Sequence, residues 1–230
     1  MSTTSNNQSL VISYLALRKT IGFLGLLLPI LLVFGSWMLK GTTDIEPSIS
    51  DYYYTIMRNV FVGTMSVVAL FLFAYNGYET TDRIAGFLGC VFALGLVFFP
   101  TDHLTLNAEV HSTTGKLHFV FATLFFIVLI FFSLVLFTKS SKTHQMTGRK
   151  KIRNTIYHTC GYVMIGCIVA IAVYSFWLDA PDSPFAKWDV IFWGETIALW
   201  AFGISWLVKG ELILKDLNTP QQPEDEERNY

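Results

Sequence analysis

Charge is scarce in this 230-residue chain: Asp, Glu, Lys and Arg together make up 14% of it, against about a quarter of a typical soluble domain. A sequence that is also 53% hydrophobic and 16% aromatic has too few ionised side chains to clothe a surface in water, which excludes an ordinary soluble globular protein. The charges nearly cancel, to a formal −1. No basic stripe of the kind that reads nucleic acid is left over, so nucleic acid is excluded as a partner. Cysteine is rare as well. Cys90, Cys160 and Cys167 all sit inside apolar runs, where they read as small packing residues; they suggest no disulfide framework and leave the redox compartment open. Strand-like alternation is missing, which argues against a barrel. Also absent are Gly-x-Ser-x-Gly, His-Glu-x-x-His and Cys-x-x-Cys, the spacings that would announce a nucleophile elbow, a metalloprotease or a redox pair.

What the chain does have is apolar length. A hydrocarbon core of about 30 Å needs roughly 20 residues of helix, and six runs approach that: Ile21 to Leu39, Val60 to Tyr78, Ile84 to Phe99, Leu117 to Phe137, Ile156 to Leu178 and Val190 to Val208. The expected fold is all-α, a polytopic bundle of about six transmembrane helices and hence an integral, multi-pass membrane protein. Residues 1–16 read as a polar N-terminal segment, 17–215 as the transmembrane domain and 216–230 as a disordered acidic tail. The first run is too long for a signal-peptide core and no small-residue cleavage site follows it, so it reads as a retained span.

Basic residues set the expected orientation. Lys139, Lys142, Arg149, Lys150, Lys151 and Arg153 crowd one connection that lacks acids, and Arg18, Lys19, Arg83, Lys209 and Lys215 fall on the same side if there are six spans. The positive-inside rule makes that side cytoplasmic, with both termini. The opposite connections carry Asp44, Glu46, Asp51, Asp102, Glu109, Asp179, Asp182 and Asp189, and Trp37, Trp177, Trp188 and Trp193 gather near them as interface anchors. Gly22, Gly25, Gly86, Gly89, Gly161 and Gly166 are expected at close helix crossings, and Pro29 at a kink.

Polar residues of unusual type concentrate on that second, acidic face. Ser50 or Asp51 is expected to cap a short helix, with Arg58 pairing Asp51 or Asp102; such a loop either merely anchors the interface or also lines a binding site. If the fourth helix runs from about Ala108, His111 and His118 share a face, but about 10 Å apart along the axis. That leaves His103, His111 and His118 as metal candidates only with ligands from other segments. Glu195, about two turns inside the last span, is costly there and marks a functional site unless a His118 or His111 hydrogen bond simply offsets its burial. The candidate ligand-binding set is Ser50, Asp51, Arg58, Asp102, His111, His118 and Glu195. The basic ends of the spans show no comparable cluster, and Tyr75, Asn76, Tyr78 and His158 there read as interface anchors.

The order of motifs Pro47-Ser48-Ile49-Ser50-Asp51, Val60-Phe61-Val62-Gly63, Ala85-Gly86-Phe87-Leu88-Gly89, Glu109-Val110-His111-Ser112-Thr113-Thr114-Gly115 and Gly194-Glu195 resembles the six-span family that includes the DRAM autophagy modulators and the PGAP-type remodelling factors of GPI lipids. Related bacterial membrane proteins of unknown function share the Asp51-Tyr52-Tyr53 and Arg58-Asn59 runs more closely. The resemblance covers Pro47 to Val208 and implies a helical bundle with cytoplasmic termini and a role in lipid handling or membrane homeostasis. Asp102-His103 and His118 depart from the animal pattern. Ceramidase-like hydrolases fit less well, because the last span here holds no histidine. The leading expectation is a protein that binds or handles a lipid headgroup in an outward polar cavity, with membrane lipids as partners. A metal-assisted or acid/base lipid hydrolase or acyl-transfer enzyme using the same residues is the alternative, and a partner-binding scaffold a third. The sequence specifies no cofactor and no protein partner.

Overall fold

The computed structural model describes residues 3–41, 44–75, 77, 79–102, 112–139, 148–178 and 188–214. These residues form an all-helical bundle, with no strand among them. The helices are α1 (Thr3–Lys40), α2 (Arg58–Phe73), α3 (Thr80–Phe98), α4 (Thr113–Phe131), α5 (Gly148–Val173) and α6 (Val190–Lys209). A 3-10 turn, Ser50–Tyr54, precedes α2; π-helical turns Phe132–Leu136 and Tyr174–Leu178 extend α4 and α5. Five of the helices are long and apolar enough to cross a membrane, and α2, at 16 residues, is a shorter apolar helix.

Several boundaries differ from the sequence reading, each for a local reason. The 38 residues of α1 span about 57 Å at 1.5 Å each, so the expected boundary at residue 16 falls inside one helix, which also continues past Pro29. The second run ends early, at Phe73, because the chain turns back at once into α3. Glu79 and Asp82 cap that helix reciprocally, and Gly77 lies so close to Asp82 that a Cβ there would overlap its carboxylate. α5 starts at Gly148, so Arg149, Lys150, Lys151 and Arg153 ride on its first turns and not in a loop. The acidic tail and the 140–147 connection lie outside the described residues.

Each helix packs on its neighbours in sequence, and α6 closes the ring against α1. Glycine makes that closure possible. A Cβ on Gly203 would stand 2.7 Å from the Gly22 carbonyl oxygen, and one on Gly25 3.3 Å from the Leu199 oxygen, so the two backbones approach as closely as small residues allow. Gly86 abuts the Leu72 carbonyl in the same way, while Gly89 and Gly161 abut the side chains of Leu72 and Leu134. Gly166 does not: a Cβ there would meet nothing within 4 Å, and its expected packing role is not found. Large apolar side chains stand exposed around the whole ring, among them Leu31, Leu70, Phe87, Val120, Val169 and Ile197 on α1 to α6 in turn. That exterior suits hydrocarbon. Trp37, Trp177, Trp188 and Trp193 are all exposed at the end where α1 and α5 finish and α6 begins.

Candidate functional site

At the acidic face the 47–54 loop folds over the bundle. Its conformation starts with Ser48, whose hydroxyl donates to the Asp51 carboxylate at 2.7 Å and accepts from the Asp51 backbone N–H at 3.0 Å. Ser48, and not Ser50 or Asp51 as the sequence suggested, therefore opens the 3-10 turn. The turn delivers the Ile49 N–H to Glu195, whose carboxylate accepts it at 2.7 Å. In return the Phe192 N–H, one of the first-turn donors that a helix leaves unpaired, bonds the Pro47 carbonyl at 3.0 Å. Loop and helix end thus satisfy one another. Tyr52 is buried against Phe192, with ring centroids 6.4 Å apart, and that burial pushes its phenol above the usual tyrosine pKa.

A second cluster sits where α3 hands over to α4. The Ser112 hydroxyl donates to Asp102 and accepts the Gly115 N–H at 2.9 Å, an N-cap for α4. The Ser112 N–H adds a 3.2 Å bond to Asp102. One turn on, the buried His118 donates from Nδ1 to the Phe99 carbonyl at 2.7 Å, tying α4 to the last turn of α3. Tyr54 bridges the two clusters by donating to the Thr101 carbonyl at 2.6 Å.

Two expected pairings are not formed. Glu195 and His118 share no hydrogen bond; each is taken up by a backbone group of a neighbouring segment. Arg58 pairs neither Asp51 nor Asp102 but lies over the Tyr53 ring, 4.3 Å from its centroid, and donates to the Tyr53 hydroxyl at 2.6 Å. The fourth helix begins at Thr113 after an extended Ser112, not at about Ala108 as the sequence suggested. His103, Glu109 and His111 themselves lie outside the described residues. Among the described residues no group of three or more His, Cys, Asp or Glu side chains is placed to hold a metal.

Of the candidates, Ser50 and Glu195 line one cavity. Its walls are apolar and come from most of the ring: Leu28 of α1, Phe61 and Met65 of α2, Leu96 of α3, Phe125 of α4 and Leu199 of α6. The volume is about 30 Å³, enough for about one or two waters. Asp51 bonds Ser48 in the same loop without lining the cavity; Asp102 and His118 belong to the adjoining α3–α4 corner, and Arg58 stands apart on Tyr53. Sequence reasoning missed Ser48, Ser112 and the backbone N–H of Ile49. The first two were within reach, since Ser-x-x-Asp and Ser-Thr-Thr-Gly are cap patterns.

The opposite face is not empty of such groups, contrary to expectation. Tyr75, expected as an interface anchor, is 2% exposed and packs with Phe132 and Trp206; Arg18 and Arg153 are buried beside this aromatic cluster. No family model, no curated protein and no solved structure matches the chain.

Proposed function

We propose that the chain is a six-span integral membrane protein with its basic face in the cytoplasm, and that it handles a membrane lipid at its acidic face. The single observation behind this reading is the cavity: a polar rim of Ser50 and Glu195 above apolar walls drawn from five helices. An amphipathic ligand needs that combination, a few placed polar groups over a hydrophobic body. The motif order that resembles the six-span DRAM and PGAP family points the same way. α2, about 24 Å long at 1.5 Å per residue, would span where the bilayer thins locally.

The cavity has room for about one or two waters and not for a headgroup, so a headgroup enters when the 47–54 loop lifts. Its latch is the Glu195 to Ile49 bond together with the Phe192 to Pro47 bond. The hydrolase alternative draws less support, because the Ser112 hydroxyl is engaged by Asp102 and Gly115, and His118 Nδ1 by Phe99. None of these forms a nucleophile and base couple. The test is native mass spectrometry of the full chain extracted in mild detergent, comparing the parent with Ser50→Leu, which fills the rim. The parent should retain a defined lipid that the variant loses; identical lipid profiles would remove the proposal.

A further inference from the structure

Arg18 is 5% exposed, and two of its three guanidinium nitrogens, Nε and Nη2, are fully buried without any hydrogen-bond partner. Only Nη1 is engaged, with the Lys209 carbonyl at 3.4 Å. The guanidinium stands over the Tyr14 ring, 4.3 Å from its centroid, and 5.8 Å from that of Tyr75. Packed on the same Tyr75 ring at 5.1 Å is Trp206, whose indole Nε1–H is likewise buried and unpartnered. Aromatic faces help hold a cation but accept no strong hydrogen bond. Three buried donor nitrogens around one tyrosine, with no hydrogen-bond partner among the described residues, form an arrangement that is costly until an acceptor arrives. The buried Asp82 makes no ion pair with Arg18; its carboxylate accepts the Glu79 N–H at 2.9 Å and caps α3.

Further positive charge lies close by. The Lys209 ammonium stands 5.4 Å from the Phe137 ring centroid, and Phe137 packs on Trp206 at 5.1 Å; the buried Arg153 donates to the Tyr157 hydroxyl at 3.4 Å, and Tyr157 packs on Phe137. We propose that the seam between α1 and α6 at the basic face, with Arg18 and Trp206 as donors and Lys209 supplying field, is a binding site for a phosphate oxyanion. Guanidinium is the side chain that matches phosphate geometry with paired donors, and basic pockets between spans on this side of a membrane suit anionic headgroups. The Tyr14 ring covers the guanidinium, so the ligand enters as that ring turns aside. This site is separate from the cavity at Glu195 and stands or falls independently of it.

The full chain is placed in phosphatidylcholine nanodiscs containing a tenth part of phosphatidic acid, and lipid retained by the extracted protein is measured by native mass spectrometry. The parent should retain phosphatidic acid over phosphatidylcholine, and Arg18→Gln should lower that retention by about tenfold or more, the scale of one lost charge-assisted hydrogen bond. Arg18→Lys, which keeps the charge and loses the paired donors, should fall in between and covers the case in which Arg18→Gln does not fold. Inorganic phosphate that displaces the lipid at millimolar concentration, and binds the parent but not the Arg18 variants in lipid-free detergent, would identify free phosphate as the source of the same oxyanion. Retention unchanged in both Arg18 variants overturns the proposal.

Discussion

The Glu195 carboxylate accepts a 2.7 Å hydrogen bond from the backbone N–H of Ile49, which lies 146 positions away in the chain. An acid inside a span is tolerated where it faces protein and finds donors, and here the donor comes from a loop that the acid in turn holds down. The relationship gives Glu195 a role in closing the cavity that its letter alone does not reveal.

Replacing Glu195 by Leu removes the acceptor and leaves the Ile49 N–H buried and unpaired, a loss of about 1–3 kcal/mol. Glu195→Gln keeps an acceptor oxygen and should lose less. Thermal shift of the purified protein in detergent orders them parent, Gln, Leu. A Leu variant as stable as the parent would mean that the loop is not held by this bond.

His118 joins α4 to the end of α3 through the Phe99 carbonyl at 2.7 Å. His118→Phe fills similar space but leaves that carbonyl without its donor, so stability should drop by about 1–3 kcal/mol. His118→Asn retains a donor on a shorter stem and should be intermediate. Equal melting temperatures for all three proteins would assign the imidazole a role other than this clasp.

How far the sequence reveals these features depends on how local they are. The last span was readable almost to the residue, as Val190 to Val208 against Val190–Lys209, because Asp189 and Lys209 bracket a run in which Glu195 is the sole charge. The second was overextended, because Tyr75 counts as apolar in any window although the chain has already left the helix at Phe73. Glu195 was readable as a bundle-facing acid from its desolvation cost alone. Its partner was not, since a backbone N–H has no letter and a sequence displays only side-chain donors, such as that of His118. Arg18 looked like an ordinary charge flanking a span. Its burial depends on the return of α6 to its side, where Lys209 and Trp206 lie 191 and 188 positions later, and no window along the chain can show that.

Sidedness is open to a direct check. With Cys90, Cys160 and Cys167 replaced, single cysteines at Ser141 in the basic connection and Ser183 in the acidic one should behave oppositely toward an impermeant maleimide applied to intact cells. Ser183→Cys should label and Ser141→Cys should be protected until the cells are permeabilised. The reverse pattern would invert the orientation and put the phosphate site outside.

The α1–α6 closure makes the sharpest stability prediction, because two glycines in the same fold face opposite circumstances. A Cβ at Gly203 would stand 2.7 Å from the Gly22 carbonyl oxygen and 3.1 Å from the Leu26 nitrogen, both backbone atoms that no rotamer change can move. The helices must separate to admit it, which in a packed interior costs about 1–3 kcal/mol. At Gly166 a Cβ meets nothing within 4 Å, and in mid-helix alanine is favoured over glycine by about 0.5–1 kcal/mol. Gly203→Ala should therefore lower the melting temperature while Gly166→Ala holds or raises it, although both are the same substitution in apolar helices. The Gly203 variant should also weaken phosphatidic acid retention, since Arg18 lies at the seam between the same two helices. If Gly203→Ala melts like the parent, α1 and α6 do not meet at this glycine, and the ring closes by some other contact.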